Sequence, residues 1–323
     1  MPRIRRAGPD DGPAIEAIHA AAVRAGYRQH YPPADVHAWI AGMATWRVGI
    51  DPGRRDVLLA EEGERVVGFA ALDAAAGDVT AVYVDPTAWR HGVGGGLLDA
   101  VETIARLRGV ATARLDASLN AVAFYETAGW RRERDAARTL PGGRTIACVA
   151  MTKDLPAPRL AIRDEAPADV ETIREVARRA FDRAGEAVLV DRLRADGALA
   201  VSLVAELDGR VVGHVAFSPV AIEGARDVVG LGPVAVLPAL QTCAIGARMI
   251  EEGLARARER GARAAVVLGH TDYYPRFGFV VSTRFEIHYP GVPEDAFMAA
   301  ELAPSALAAA HGAVRYHPAF EVV

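Results

Sequence analysis

The feature that most constrains this fold is an internal repeat. Four segments of the first half return in the second half, in the same order and at shifts of 145 to 158 residues. The pairs are "IRRAGPDDGPAI" from Ile4 with "IRDEAPADVETI" from Ile162, "LLAEEGERVVGFAAL" from Leu58 with "LVAELDGRVVGHVAF" from Leu203, a turn at Gly94 with one at Gly246, and "FYETAGW" from Phe124 with "YYPRFGF" from Tyr273. Four matches in one order indicate a duplicated domain.

The boundary between the copies is predicted in "LPAPRL", where Pro156 and Pro158 interrupt any regular element. A chain of 323 residues is also longer than a typical single domain. We therefore predict two domains, residues 1–155 and residues 156–323. The second has an extra C-terminal segment, from Arg284 onward, that has no sequence counterpart in the first copy.

Charge and apolar content exclude several classes of protein. The net charge is −4, so the sequence indicates no basic face for nucleic acid. It has no apolar stretch long enough to span a membrane, and its start lacks a secretory leader. Cys148 and Cys243 are its only cysteines, and His30 and His37 fit no zinc spacing. We expect a cytoplasmic protein without a metal, nucleic acid or membrane partner; its oligomeric state is not indicated.

Each copy has an α/β pattern. In the first, Ile15, Ile18 and Ala22 have helical spacing, and residues 93–107 have a second apolar helical face. Between them, "DVLLAEEGERVVGFAAL" is typical of a β-hairpin, and "DVTAVYVDP" of a strand that Pro86 ends. The predicted order is strand, helices, three strands, helix, strand, helix and terminal strands.

Residues 85–101, "DPTAWRHGVGGGLLDAV", place four glycines where a strand meets a helix. Free N–H groups at a helix start favour an anion by roughly 0.3–1 kcal/mol per charge, and glycine lets the backbone approach a pyrophosphate. A P-loop would need Lys and then Ser or Thr where this chain has Leu97 and Leu98, and a dinucleotide fingerprint would need glycine at position 97. An acyl-CoA turn remains, with a simple helix cap as the alternative.

With these motifs the chain resembles two members of the GNAT acetyltransferase superfamily in tandem, over nearly all of its length. The resemblance implies an α/β fold in each copy: a mixed, mostly antiparallel central sheet with helices on both faces and a V-shaped splay between the fourth and fifth strands. It also implies acetyl-CoA as co-substrate, held by a turn of the pattern Gln/Arg-x-x-Gly-x-Gly/Ala and by the strand before it. The cofactor-binding residues implied are Val82, Tyr83, Val84, Arg90, His91, Gly92, Val93, Gly94 and Gly95 in the first copy, and Val234, Ala235, Val236, Gln241, Thr242, Cys243, Ala244, Ile245 and Gly246 in the second.

Both copies depart from the turn pattern. Trp89 stands where the family has Gln or Arg, and Ala244 stands where the family has its first glycine. If Ala244 needs a positive φ, it costs on the order of 1 kcal/mol and weakens cofactor binding. If it has ordinary helical geometry, its methyl group matters little.

Downstream, "NAVAFYETAGW" resembles the family pattern Asn-x-x-Ala-x-x-Phe-Tyr-x-x-x-Gly, with the alanine spacing one residue short. The resemblance implies that Asn120 contacts the pantetheine arm and that Tyr125 protonates the departing CoA thiolate. A phenol with a pKa of about 10 keeps its proton at neutral pH and suits that role. The alternative is that Tyr125 only packs a short helix. In the second copy Tyr274 matches Tyr125, and Gly269 replaces Asn120.

The reaction implied is direct attack of a primary amine on a thioester. Such an amine must first lose a proton, and no residue is marked as the base. The candidates are Asp116, predicted at the end of the next strand, and His270, predicted at the equivalent place in the second copy; a chain of water molecules is the alternative. The aromatic-rich segment 26–40 lies where the family shapes its acceptor pocket; the alternative is a loop that only covers the core.

Three functions stay open. The first is an N-acetyltransferase whose N-terminal copy is catalytic. The second places the chemistry in the C-terminal copy or in both, a tandem arrangement like that of mycothiol synthase. The third is an acyl-CoA-binding sensor or scaffold without turnover, which Ala244 and Gly269 suggest for the second copy. The acceptor is predicted to be a small-molecule or peptide amine, and the acidic second half favours a cationic one.

Overall fold

The computed structural model describes residues 2–42, 55–140 and 142–322. The chain packs into two compact units, Met1–Pro158 and Arg159–Val323. The change from one unit to the next falls at Pro158, inside the proline-containing segment on which the two-domain prediction depends.

In its described residues the first unit contains a seven-stranded sheet and four α-helices. Its strands are β1 (Arg3–Arg6), β2 (Asp56–Glu62), β3 (Arg65–Asp73), β4 (Asp78–Val84), β5 (Thr112–Ser118), β6 (Arg131–Thr139) and β7 (Thr145–Asp154). Its helices are α1 (Gly12–Gly26), α2 (Pro33–Gly42), α3 (Val93–Leu107) and α4 (Val122–Thr127). The sheet order is β1-β2-β3-β4-β5-β7-β6.

The first sheet opens between β4 and β5. All its neighbouring strands are antiparallel except these two, which run parallel. Within the described residues, β4 and β5 pair only at Asp78 and Arg114, although the strands continue to Val84 and Ser118. The predicted V-shaped splay between the fourth and fifth strands is confirmed.

Helices cover both faces of this sheet, as predicted. On one face, Ile15 and Ile18 of α1 pack in a cluster with Phe69 of β3. On the other, a side chain at Gly68 would lie within about 3 Å of Leu97 of α3. Successive residues of a strand point to opposite faces, so Gly68 and Phe69 separate the two layers. The glycine lets α3 approach β3 closely.

An ion pair that closes the first strand onto the first helix occurs in both units. Arg5 Nη1 lies 2.7 Å from Asp11 Oδ2, and Arg163 Nη1 lies 2.6 Å from Asp169 Oδ2. The same Asp11 oxygen accepts a 2.6 Å hydrogen bond from the amide of Gly8, which caps the turn before α1. The repeat found in the sequence therefore extends to individual hydrogen bonds.

The second unit, as described up to residue 322, contains nine strands and three α-helices. The strands are β8 (Leu160–Asp164), β9 (Val201–Leu207), β10 (Arg210–Glu223), β11 (Val228–Val236), β12 (Ala264–Leu268), β13 (Val280–Val281), β14 (Ile287–His288), β15 (Phe297–Glu301) and β16 (His311–Arg315). The helices are α5 (Val170–Phe181), α6 (Gly185–Ala195) and α7 (Ile245–Glu259).

The second sheet repeats the splay. β11 and β12 pair in parallel from Val228 to Leu231, and β11 then runs on to Val236. β15 lies antiparallel between β12 and β13, the place that β7 has between β5 and β6. The prediction that the segment from Arg284 has no counterpart is therefore wrong for β15. The additional strands are β14 and β16, which join the end of β10.

Candidate active site

The turn before the long helix has the same shape in both units. Arg90 and Gly92 have φ angles of 64° and 81°, and Thr242 and Ala244 have φ angles of 64° and 60°. Gly92 and Ala244 are the capping residues of α3 and α7. A backbone that alternates with left-handed residues forms a concave set of N–H groups that binds anions. The second copy keeps this shape without glycine at the cap.

The first amides of both helices face the open helix end. In α3 the amide of Gly96 donates to the Gly92 carbonyl at 3.0 Å, and in α7 the amide of Arg248 donates to the Ala244 carbonyl at 3.1 Å. The amides of residues 93–95 and 245–247 precede these bonds. Such amides and the helix dipole together stabilise a bound anion.

Trp89 makes the same hydrogen bond to the strand end that glutamine makes in the second unit. Its indole Nε1 donates a 2.8 Å hydrogen bond to the carbonyl of Val84, at the end of β4. In the second unit Gln241 Nε2 donates to the carbonyl of Val236 at 3.3 Å. Each donor lies five residues after its acceptor, so both side chains hold the turn against the end of the strand.

Replacing Ala244 by glycine is expected to stabilise the second unit by about 1 kcal/mol. A left-handed alanine costs about 1–2 kcal/mol, and the greater freedom of glycine in the unfolded chain offsets part of the gain. Calorimetric melting of the full chain would measure the change. The matched change, Gly92→Ala, should destabilise the first unit similarly, since no atom lies within 4 Å of the position its Cβ would take. Equal stability of the parent and Ala244→Gly would show that the left-handed conformation of Ala244 carries no strain.

A cavity of about 1060 Å³ lies at the splay of the first unit. It brings together most of the site residues predicted for the first copy, namely Val82, Tyr83, Val84, Arg90, Gly92, Val93, Gly94, Gly95, Asp116, Asn120 and Tyr125. His91 lies elsewhere: it lines a separate pocket with Glu61 and Glu62. The motifs that the sequence separates by up to 43 residues therefore meet around one space.

Tyr125 forms part of the cavity wall. It lies on α4, is 8% exposed, and packs edge-on against Trp130 with 6.0 Å between ring centroids. Burial raises the pKa of its hydroxyl, and the nearby Tyr83 hydroxyl adds to the shift. Tyr125 therefore keeps its proton throughout the physiological pH range.

Tyr83 lies in a group of aromatic and polar side chains on the cavity wall. It packs against the cluster that contains Tyr27 and Trp39, and Ser118 ends β5 at the same cavity. All four residues line the cavity. Tyr27 belongs to the aromatic-rich segment predicted to shape the acceptor pocket.

His19 is a buried group whose protonation opposes folding. It lies against the Tyr83 ring at 4.7 Å, and within the described residues its Nδ1 has no hydrogen-bond partner. Burial, together with the charge of Arg138, lowers its pKa from 6.5 to about 4. Between these values the unfolded chain binds a proton that the folded chain does not, so stability falls as the pH falls.

We expect the first unit to lose on the order of 3 kcal/mol of unfolding free energy between pH 6.5 and pH 4 through His19. Hydrogen exchange of the α1 amides across this range would measure the loss. A His19→Leu variant should show a smaller slope, because leucine binds no proton. If the parent and the variant lost the same unfolding free energy over this pH range, His19 would not be the cause.

The second unit places its predicted residues on the end of β11, the start of α7 and the segment after β12. Tyr274 packs where a side chain at position 269 would lie: a Cβ on Gly269 would come 2.2 Å from Tyr274 Cε2. Burial, with a contribution from Tyr273, raises the pKa of Tyr274 to about 12. Cys243 and Ile245 are buried, whereas His270 is exposed.

Family comparisons match both units. A model described as "Acetyltransferase (GNAT) domain" matches residues 27–154, and one described as "Acetyltransferase (GNAT) family" matches residues 170–279. The "Uncharacterized N-acetyltransferase YhbS" of Escherichia coli K12 is 40% identical over 164 residues, which cover 49% of this chain and 97% of YhbS. The chain belongs to the GNAT acetyltransferase family. It is an acyltransferase built from two GNAT domains in tandem.

Two solved GNAT structures are similar to half of this chain. The crystal structure of Escherichia coli YhbS in complex with CoA is 40% identical, covers 51% of this chain and 94% of its own, and has a TM-score of 0.49. A GNAT acetyltransferase from Brucella melitensis in complex with acetyl-CoA is 44% identical. The match covers 50% of this chain and 98% of the Brucella chain, with a TM-score of 0.43.

The strand positions correct the predicted equivalence of Asp116 and His270. Asp116 lies inside β5, two residues before its end, whereas His270 lies two residues after the end of β12. Asp78 pairs with Arg114 in the first sheet, and Val228 pairs with Ala264 in the second. β5 and β12 therefore correspond at a shift of 150 residues. Val266 therefore takes the place of Asp116 in the second unit, and the predicted equivalence of His270 with Asp116 is wrong.

Several residues that line the cavity of the first GNAT unit were not predicted from the sequence as site residues, among them Trp39, Ser118 and Arg138. Trp39 lies at helical spacing in the aromatic-rich segment and was open to prediction there, whereas Arg138 is one of four arginines in β6 and carries no local signal. Among the described residues, no group of three His, Cys, Asp or Glu side chains could hold a metal, and no helix could cross a membrane.

Proposed function

We propose that the first GNAT unit transfers an acetyl group from acetyl-CoA to a primary amine of a small molecule or peptide. The observation that carries this proposal is the cavity that joins the anion-binding turn, the free end of β4 and Tyr125. YhbS, which is 40% identical in sequence, was crystallised with CoA, and this supports the choice of co-substrate.

The residues of the first unit fit acetyl-CoA at both ends. The amides of Val93, Gly94 and Gly95 form an anion site suited to a pyrophosphate, and Arg90 lies beside them on the cavity wall. β4 pairs with β3 on one side, and on the other side β5 has diverged. Apart from the Val84 carbonyl, which accepts the hydrogen bond of Trp89, the backbone groups of Val82–Val84 that point toward β5 are therefore available to the amides of a pantetheine arm.

When bound, acetyl-CoA supplies an activated acyl carbon. The acceptor nitrogen donates its electron pair to that carbon to form the new C–N bond, and the C–S bond breaks. Tyr125 donates its hydroxyl proton to the sulfur that leaves with the electrons of the C–S bond. The proton lost by the amine returns through solvent to Tyr125, so atoms and charge balance.

Asp116 is proposed as the group that accepts the amine proton, directly or through water. It is the one acidic side chain on the wall of this cavity among the described residues. Its carboxylate also attracts an ammonium group, which raises the local concentration of the amine. Asn120, on the same wall, is proposed to contact the pantetheine arm.

We propose that the second GNAT unit binds acyl-CoA as well. The positive φ of Ala244 has a folding cost, but the turn keeps the shape that presents its amides, so we infer no loss of cofactor binding from that cost. Tyr274 is the matching proton donor. Its residues Val234–Val236 and Gln241–Gly246 occupy the same positions along the strand end and turn. The chemistry is assigned to the first unit because its turn, strand end and tyrosine surround one cavity.

Calorimetric titration of the full chain with acetyl-CoA tests the proposal, with two sites per chain expected. Mass spectrometry of an amine mixture incubated with the chain and acetyl-CoA would then identify acetylated products. One site would remove the second unit from the proposal. The absence of any binding would overturn the transferase assignment for both.

A further inference from the structure

Arg138 is an arginine of the first unit whose charge has no partner among the residues that the structure describes. It is half-buried on β6 and lines the cavity. Within the described residues its guanidinium forms no hydrogen bond or ion pair, whereas Arg131 and Arg132 of the same strand both pair with aspartates. Partly buried arginines are usually paired, because removal of an unpaired charge from water is costly.

The strand register places Arg138 on the face of the sheet that the α1–α2 segment covers. Arg138 pairs with Ile146 of β7, and Cys148 of β7 pairs with Ser118 of β5. Residues two apart in a strand share a face, so Arg138 and Ser118 lie on the same side. Ile146 packs in the cluster that contains Trp39 of α2.

The effect of this charge reaches the groups around Tyr83. Arg138 lowers the pKa of buried His19, after burial itself, and it opposes the effect of burial on the pKa of Tyr83. The guanidinium therefore points its positive field into the part of the cavity that Tyr27, Tyr83 and Trp39 enclose.

We propose that the acceptor of the first unit carries a carboxylate beside its amine and that Arg138 binds this carboxylate. The planar guanidinium presents paired N–H donors that match the two oxygens of a carboxylate. Asp116 on the same cavity wall offers the opposite charge to the amine. The wall thus matches both ends of an amino-acid-like acceptor. This inference rests on the proposed acetyl transfer, and it replaces the cationic acceptor expected from the charge of the second half.

The test compares α-amino acids with the amines that differ from them only by loss of the carboxylate. Phenylalanine with phenethylamine and leucine with isoamylamine are such pairs; O-phosphoethanolamine with ethanolamine separates a phosphate from a carboxylate. We expect kcat/KM with acetyl-CoA to favour the carboxylated member by about 10- to 100-fold, the range of one charge-assisted interaction. Arg138→Gln should abolish this preference.

Arg134→Gln is the matched control. Arg134 lies on the same strand and the same face and carries the same charge, but it is exposed and does not line the cavity. The control should keep the preference. Arg138→Lys retains the charge without the paired donors and should keep part of the carboxylate preference. This intermediate result would separate loss of recognition from misfolding of the Gln variant.

Binding provides a readout without turnover. Calorimetry with CoA present should show that N-acetylphenylalanine binds the parent about 10- to 100-fold more tightly than Arg138→Gln does, while CoA affinity is the same in both. Equal rates within each pair, a preference for phosphate, or a carboxylate preference that survives Arg138→Gln would overturn the inference while the transferase function stands. Failure of acetyl-CoA to bind would overturn both.

Discussion

Replacing Tyr125 by phenylalanine is expected to lower the kcat of acetyl transfer by about 10²- to 10⁴-fold, the range of general acid catalysis. The hydroxyl is the donor proposed for the leaving sulfur, and burial keeps it protonated. Phenylalanine retains the ring that packs at 5.0 Å from Phe124 and 6.0 Å from Trp130. The change therefore removes the proton donor with little effect on the fold or on acetyl-CoA affinity.

Tyr274→Phe is the matched control in the second unit. Rapid-mixing measurement of a single turnover would report the chemical step separately from product release. If Tyr274→Phe slows transfer and Tyr125→Phe does not, the chemistry belongs to the second unit. A rate within about three-fold of the parent in both variants would place proton donation with a different group, since general acid catalysis contributes far more than this.

Replacing Gly94 by glutamate is expected to weaken acetyl-CoA binding to the first unit by about 100- to 1000-fold. A carboxylate there would lie beside the amides proposed to hold the pyrophosphate, and two like charges about 4 Å apart repel by about 4 kcal/mol at an effective dielectric constant of 20. The backbone accepts the side chain, because a Cβ at this position would lie 3.5 Å from Phe124 and 3.6 Å from Val84. Acidic residues also stabilise the first turn of a helix.

Gly94→Gln has the same size without the charge, so the difference between the two variants isolates electrostatic repulsion. Gly246→Glu makes the equivalent change in the second unit. Calorimetric titration should lose one site with each glutamate variant and both sites in the double variant. Unchanged affinity in Gly94→Glu would show that the α3 turn does not hold the phosphates.

The fold was predictable because its signals repeat. The hydrophobic spacing, the turns and the strand-ending prolines occur in both halves, so each half supports the assignment of the other. β15 was missed in the sequence comparison, since only Ala299 of "FMAAE" repeats the residue at the matching position of β7, Ala150. Its place is fixed by pairing with β12, a contact between segments about 30 residues apart.

The site was predictable only where local motifs specify it. The glycine turn and Tyr125 belong to such motifs, and they do line one cavity. Trp89 looked like a departure because the motif records a residue type, whereas the structure requires only a donor to the Val84 carbonyl. Arg138 reaches the cavity through the register of β6 on β7, which no local pattern encodes.

The distribution of indole rings gives each copy a distinct optical signature. All four tryptophans, at positions 39, 46, 89 and 130, belong to the first unit, and the second contains tyrosine and phenylalanine alone. Trp89 is 41% exposed and lines the cavity beside the turn. Indole emission therefore reports occupancy of the first unit and is silent for the second. Fluorescence compared with total heat release would thus assign each binding event to its copy in the intact, unmodified chain.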